Sequence, residues 1–529
     1  MPFSVRARTA LCLLGLLLWT AALAAAAEAP APPKLIVVVV VDQLRADYLT
    51  RFRDSFGADG FNRLLREGAW FDNCFYPYAV TETGPGHATL ATGATPDRHG
   101  IAGNTWYDFE KQKVVESIED EEAPVVGSAS GIAGVSPRNL RANSLSDELK
   151  LATAGQARVF GISLKDRAAV LSTGHAASGA YWYERQTGKL ATSRYYREAL
   201  PAWLERFNAE HGAESYYGRE WKSGEEVYLR LGNPGGRPDR NFYSEFRFTP
   251  FGNDLLVALA EQLVEEEKLG ADSVTDFLFI GFSANDYVGH RWGPYSPQVA
   301  DMTRRTDAQI AALLGFLDAK IGAGNYWFVV SADHGVAPTL AQARERGLAA
   351  ENVDVRAAQQ AVEAALTSRW GEGPWLVPGA EVTFNRETLR KHSVGVAQAA
   401  HLAGGVLLGV DGIRGYVAGE EARLDPKLTE SVRRSEFRLR SPDVFVLQEP
   451  FALFDGDRGG TTHGTPYSYD THVPLIFYGP AFRAGRYSSP VSPADLAPTL
   501  AAALGINPPA LTSGRVLRRA LRTIAAPSR

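Results

Sequence analysis

Apolar positions along this chain fall into two patterns. Unbroken runs of β-branched and aromatic residues predict strands buried on both faces, as in a parallel sheet. Four such runs stand out: 36–41 in KLIVVVVVDQLRADYL, 275–286 in TDFLFIGFSAND, 325–335 in NYWFVVSADHG and 472–479 in HVPLIFYG. Between them, apolar residues recur at helical spacing. GNDLLVALAEQLVEEEKLG ends on Gly270, which suits the position just past a helix C-terminus. SPQVADMTRRTDAQIAALLGFLDAKIG opens with Ser296 as a cap and Pro297 in the first turn, and SPADLAPTLAAALG repeats that opening at Ser492 and Pro493. Strands alternating with helices predict an α/β fold with a mostly parallel sheet. Two stretches fit the alternation badly, near 168–245 and 337–455, and are expected to be insertions that decorate the core.

The N-terminus carries a different signal. Arg6 and Arg8 precede an apolar stretch at 10–18, and AALAAAAEAP offers cleavage sites up to about Ala27. This predicts a secretory signal peptide over 1–27, with residues 28–529 forming one catalytic domain. No later segment reads as long and apolar enough to span a bilayer, so no membrane anchor is expected after cleavage. The expected destination is the periplasm or the exterior. Of two cysteines, Cys12 lies in the signal, so Cys74 alone remains and no internal disulfide can form. Losing Arg6 and Arg8 lowers the basic count from 55 to 53 against 60 acidic residues, a charge of −7, which argues against a nucleic-acid partner.

In open α/β sheets, ligands bind beyond the carboxyl ends of the strands. Asp42 follows the first run. Asp286 and His290 follow the second, and Asp333 and His334 the third. His463 lies in GGTTHGTPYSYDTH, the loop leading into the fourth. Mixed imidazole and carboxylate donors suit zinc with open coordination positions. Taken singly, each residue has a plainer reading as a cap or turn former, but capping does not call for three nearby histidines. His87, His99, His175 and His472 read as satisfying backbone groups, and His211, His392 and His401 as surface or structural residues.

TETGPGHATLATG, residues 81–93, places Thr83 just before a helix that Pro85 can begin. Free N–H groups and the helix dipole favour an anion there. A threonine hydroxyl needs a base or a metal to become a nucleophile; without one, Thr83 would be an ordinary cap. Thr81, two residues earlier in an extended approach, points much the same way and stays a second candidate. In SLKDRAAVLSTGH, Lys165 and Arg167 interrupt a buried-looking segment and need partners. A phosphate dianion would serve, and Arg167 could grip it through its planar fork.

VVVDQLRADYL, TGPGHATLATG, GNTWYD, ADHG, THGTPYSYDTHVPLIFYG and ADLAPTLAAALG occur in this order. By them the chain resembles the alkaline phosphatase superfamily, and within it the PafA-like bacterial periplasmic alkaline phosphatases with a threonine nucleophile. The resemblance implies a three-layer α/β/α sandwich with a mostly parallel central sheet and inserted cap segments. It implies two zinc ions: one held by Asp42, Asp333 and His334 and joined by the Thr83 oxygen, the other by Asp286, His290 and His463. Thr83 would be the nucleophile, Asn104 a side-chain amide on a phosphoryl oxygen, and Lys165 and Arg167 the cationic pair of the monoesterase branch. The implied activity is hydrolysis of small-molecule phosphate monoesters through a phosphothreonine intermediate. A nucleotide pyrophosphatase or phosphodiesterase on the same scaffold is the nearest alternative. A non-catalytic metal- or phosphate-binding protein is a more distant one, and a sulfatase is disfavoured because its C/S-x-P-x-R pattern is absent. The sequence leaves the oligomeric state open and is compatible with a monomer.

Overall fold

The computed structural model describes residues 31–128, 132–379, 381–456 and 459–522, so the expected signal peptide lies outside the described residues. Its main sheet is built from β1 (Leu35–Val41), β2 (Ala69–Phe75), β3 (Val125–Val126), β4 (Val159–Ser163), β5 (Gly179–Glu184), β6 (Lys189–Ser193), β7 (Asp276–Phe282), β8 (Tyr326–Ser331), β9 (His472–Tyr478) and β10 (Gly485–Tyr487). The strands run in the order β10-β2-β9-β8-β1-β7-β4-β5-β6-β3. Every residue of β1, β4, β7 and β8 is buried, which is why their sequences are apolar without alternation. β1 pairs in parallel with β7 on one side and β8 on the other, and β4 and β5 continue the parallel array.

Two sets of helices cover the sheet. One includes α3 (Phe251–Glu266) and α5 (Pro297–Leu317), which pack on each other. The other includes α1 (Thr83–Thr92), α2 (Asp166–Leu171) and α6 (Leu496–Leu504), which share contacts through α1. The sequence signals for these helices act as expected, with one exception. Ser296 accepts from the Val299 N–H at 3.2 Å, and Gly505 takes a left-handed conformation at its helix end; at the end of α3, however, the left-handed residue just past the cap is Lys268 (φ 55°), and Gly270 lies beyond it in the following turn.

The fourth apolar run, β9, is a strand, but it runs antiparallel to β8. Its start, and the loop before it, therefore lie at the carboxyl end of the parallel strands. β2 is antiparallel to β9 in turn, so it runs with β1 and also delivers its C-terminal end there.

The stretch 168–245 needs a correction as an insertion, because it contains β5 and β6, both integral to the main sheet. Only the part after Ser193 adds peripheral helices and a two-stranded ribbon, Glu220–Ser223 with Glu226–Arg230. Residues 337–455 carry a hydrophobic cluster of their own, including Val362, Trp375, Phe384, Leu407 and Tyr416. That cluster packs beside a three-stranded sheet of Ile413–Ala418, Glu421–Ala422 and Phe445–Gln448.

Val39 is fully buried at the centre of β1, opposite Ile280 and Val330. Val39→Ala removes two methyl groups from a place flanked on both sides by strands, and is expected to cost ~2–3 kcal/mol from lost transfer energy plus a residual cavity. Urea unfolding should show a lower midpoint with an unchanged slope.

Candidate active site

The carboxyl ends of the strands bring the polar residues together. Asp42 leaves β1 fully buried, and its N–H donates to the Phe282 carbonyl at the end of β7. β7 turns into α4 (Ala284–Trp292), which presents Asp286 and His290 one turn apart with Nε2 of His290 3.2 Å from Asp286 Oδ1. Two residues past β8 stand Asp333 and His334, both fully buried. The loop before β9 adds His463, which stacks on His334 at 3.5 Å between ring centres.

Thr83 is the first residue of α1 and is 1% exposed. Its Oγ1 accepts from Lys165 Nζ at 3.1 Å. The same ammonium donates to Asp286 Oδ2 at 2.7 Å and lies 3.1 Å from Asp42 Oδ2. Thr81 is otherwise occupied. Its hydroxyl donates to the Thr465 carbonyl at 2.9 Å, and its own carbonyl lies 2.7 Å from His463 Nδ1. Thr81 thus orients the histidine, while Thr83 faces the carboxylates.

The start of α1 offers few free backbone donors to an anion. The Gly84 N–H goes to Asn104 Oδ1 at 2.7 Å, the Gly86 N–H to the Glu82 carbonyl at 2.9 Å, and Pro85 has none. An anion here depends on side chains. Asn104 is held beside the Thr83 turn by the Gly84 N–H on its Oδ1, and Arg167 presents a buried Nε without an acceptor. Arg167 and Lys165 line a cavity of about 380 Å³ together with Arg247 and Tyr287.

Ligand atoms of the two sets implied by resemblance also approach one another across the sets. Asp286, His334 and His463 converge within 4.8 Å, as do Asp42, His87 and Asp333. His290 remains attached to the first group through Asp286. The two sets therefore adjoin in one continuous cluster.

These residues fit a bound cation. Both carboxylate oxygens of Asp42, Oδ2 of Asp333, and Nε2 of His87 and His334 are buried without a hydrogen bond. Orphaned groups of this kind cost ~1–3 kcal/mol each, more when charged, unless an ion meets them. The donor set of carboxylate and imidazole is the one zinc takes. The far ring nitrogens are already fixed: His290 Nδ1 by the Thr461 carbonyl at 2.7 Å, His334 Nδ1 by the Gly335 carbonyl at 2.9 Å, and His463 Nδ1 by Thr81. Each Nε2 is thereby left facing the cluster.

Charge is divided unevenly among the aspartates. Burial and the neighbouring Asp333 charge push Asp42 above the usual carboxylate range. Burial also works against ionised Asp286, but His290 and Lys165 overcome it and hold that group well below the range. Burial works against charging His334, yet the Asp333 carboxylate lifts it to about 9.

A profile of the family described as Type I phosphodiesterase / nucleotide pyrophosphatase matches residues 36–468, which span all six ligand candidates, Thr83, Asn104, Lys165 and Arg167. The chain belongs to that family, within the alkaline phosphatase superfamily. Alkaline phosphatase PafA of Elizabethkingia meningoseptica is 32% identical over 522 residues, 90% of this chain and 92% of its own length. A Myroides odoratus protein named calcium-transporting ATPase is 33% identical over 513 residues, 91% of this chain and 93% of its own. The crystal structure of wild-type PafA shares the fold with a TM-score of 0.86 at 31% identity, covering 93% of this chain and 100% of that one. A solved PafA variant carries substitutions at a threonine, an asparagine, a lysine and an arginine, and superposes equally well.

Two residues at this site were not visible from sequence patterns. His87 was expected to satisfy backbone groups, and its Nδ1 does lie 2.9 Å from the Thr83 carbonyl; its Nε2, however, points to Asp42 Oδ1 at 3.5 Å. The TGPGH spacing puts it one helical turn from Thr83, which is the signal that could have found it. Gln43 gave no signal at all. It adopts a left-handed conformation with φ 66°, donates its N–H to Asp333 Oδ1 at 3.0 Å, and donates Nε2 to Asp286 Oδ1 at 2.8 Å. It thus ties the two ligand groups together.

Gln43→Asn is expected to keep the backbone, because asparagine tolerates the left-handed region, while its shorter amide cannot reach Asp286. Loss of an orienting partner typically lowers metal affinity ~10–100-fold. Competition against a chelator of known affinity should show a loss in that range with an unchanged circular dichroism spectrum.

Proposed function

We propose that this protein is an exported alkaline phosphatase that hydrolyses small-molecule phosphate monoesters through Thr83 and two zinc ions. The observation that carries the reading is the position of the Thr83 hydroxyl, 3.1 Å from an ammonium that contacts carboxylates of both ligand groups. The relatives named alkaline phosphatase support it. So does the PafA variant, whose four substituted residues follow the chain order, and nearly the spacing, of Thr83, Asn104, Lys165 and Arg167.

Asp42, Asp333 and His334 would hold one zinc, and Asp286, His290 and His463 the other, with His87 beside Asp42. Zinc supplies Lewis acidity that lowers the pKa of a hydroxyl or water and neutralises developing charge. Within that setting Thr83 Oγ1 gives up its proton and attacks phosphorus. The Thr83 O–P bond forms as the P–O bond to the alcohol breaks, and the alcohol takes up a proton. Water then attacks the phosphothreonine, restoring the hydroxyl and releasing inorganic phosphate. Lys165 reaches the reacting oxygen, and Arg167 and Asn104 stand ready for the non-bridging oxygens, where charge builds. Burial of Thr83 keeps stray water away from the first step.

The family description names phosphodiesterase, and that is the second reading. A diester has one charged oxygen fewer, so it makes less use of Lys165 and Arg167. The same clamp would accept the terminal phosphoryl group of a nucleotide triphosphate, in keeping with the name of the Myroides odoratus relative.

Thr83→Ala is expected to lower turnover of p-nitrophenyl phosphate by at least ~10³-fold, while Thr83→Ser retains a substantial part. Rapid-quench labelling with a radioactive ester should place phosphate on Thr83. Labelling elsewhere would remove the nucleophile assignment. Elemental analysis is expected to return about two zinc ions per chain, with activity lost on chelation and regained with zinc. Activity that survives exhaustive chelation would exclude the metal reading.

Hydrogen bonds to charged groups contribute ~1.5–3 kcal/mol each, so the double change Lys165→Ala/Arg167→Ala should lower monoester kcat/KM by about 10²–10⁴-fold. Turnover of bis-p-nitrophenyl phosphate should fall much less. Equal losses on both substrates would favour the phosphodiesterase.

A further inference from the structure

The reaction centre opens onto two cavities that share no lining residue, and only the first is lined by cations. One is the cavity of Lys165, Arg167, Arg185 and Arg247, whose charge is balanced by Glu116, Glu119, Asp166 and Glu184 in the same lining. The other, of about 370 Å³, is walled by apolar side chains of the 337–455 segment, among them Val382, Leu407, Ile413, Phe445 and Phe454. It reaches the centre through His463 and through Val80 and Glu82, which immediately precede the nucleophile region. That volume lies within the range of small-ligand sites.

Its charge is one-sided. Glu82 and Glu381 line it, and among the described residues no lysine or arginine does. Glu82 is partly committed, accepting from the Asn104 N–H at 2.7 Å. Arg440 stands on an adjoining cavity that shares Glu82 and Glu381, but its guanidinium is spent on the Gly100 and Asn139 carbonyls and lies 4.8 Å over the Trp106 ring.

We propose that this second cavity is the leaving-group site, and that it selects phosphate monoesters of an apolar alcohol carrying a positive charge. The inference rests on the monoesterase reading above. The phosphoryl group, a dianion, belongs with Lys165, Arg167 and Asn104. The alcohol must then extend towards a surface that has no cation to greet an anionic group. An aliphatic or aromatic body buries against Leu407, Ile413 and Phe445, which removes apolar surface from water. An ammonium on that body meets Glu381 and Glu82, whereas a carboxylate or second phosphate meets like charge without a counter-ion. The segment 337–455 thereby acquires a role in substrate choice, separate from the chemistry.

The test compares kcat/KM for three esters that share a phenyl body: para-aminomethylphenyl, para-tolyl and para-carboxymethylphenyl phosphate. Methyl phosphate, which lacks a body to fill the cavity, serves as the reference. The expected order is ammonium, then tolyl, then carboxylate, with roughly tenfold or more between the first and last. That ratio should shrink as ionic strength rises. Glu381→Gln should lower the ammonium-to-carboxylate ratio and leave methyl phosphate unchanged. Ile413→Asp should depress the tolyl ester without affecting methyl phosphate. If methyl phosphate itself is not hydrolysed, the monoesterase reading falls and the inference with it. If methyl phosphate is hydrolysed but the order is flat, inverted or led by the tolyl ester, the leaving-group site alone is overturned.

Discussion

The structure is organised around negative charge held out of water. Asp42, Asp286 and Asp333 are at most 3% exposed, and they sit within one cluster. Carboxylates so placed repel one another strongly in a medium of low polarisability, and they persist only with cations beside them. Lys165, and His334 as lifted by Asp333, are such neighbours in the protein itself. The parallel sheet makes the arrangement possible, because β1, β7 and β8 end at one level and their backbones are already satisfied by pairing. No element needs to bend to bring the carboxylates together.

That closeness sets demands on the chain around it. A Cβ on Gly86 would lie 2.3 Å from the Asp333 carbonyl oxygen, and one on Gly289 would lie 1.6 Å from Gln43 Oε1. Helix α1, which carries Thr83, can press against the end of β8 only because the residue at the contact has no side chain. Gln43 can link the Asp333 and Asp286 carboxylates in its present position because α4 leaves the same kind of gap at Gly289. The glycines of TGPGH and of the turn of α4 are thus spacing devices, set by contact distances rather than by flexibility.

Much of this was legible from the amino-acid order. A β-branched run that stops on aspartate announces both a buried strand and a residue at its functional end, and β1, β7 and β8 each carry that signal. β2 did not, because AWFDNCF mixes polar residues into a strand that is buried only in part. The direction of β9 was also hidden, since side-chain pattern says nothing about which way a strand runs. Within 168–245, tyrosines and glycine turns masked two strands of the main sheet. At the site, residue type and strand-end position pointed to the six ligand candidates, while the choice of Thr83 over Thr81 came from the resemblance. The approach of the ligands across the two sets, and the parts of Gln43 and His87, depend on side-chain reach across elements that no local pattern encodes.

The reversed course of β9 has a consequence for how the molecule comes into being. A chain that emerges N-terminus first presents Asp42 and Thr83 early, yet His463 arrives only after most of the sequence has followed. The cluster is therefore incomplete during nearly all of synthesis. Contacts between such distant positions also form slowly, because the intervening chain must first be ordered. The centre closes last, so a partly made chain cannot hold the full set of ligands, and the competence to cleave phosphate esters arises only where the whole polypeptide has come to rest.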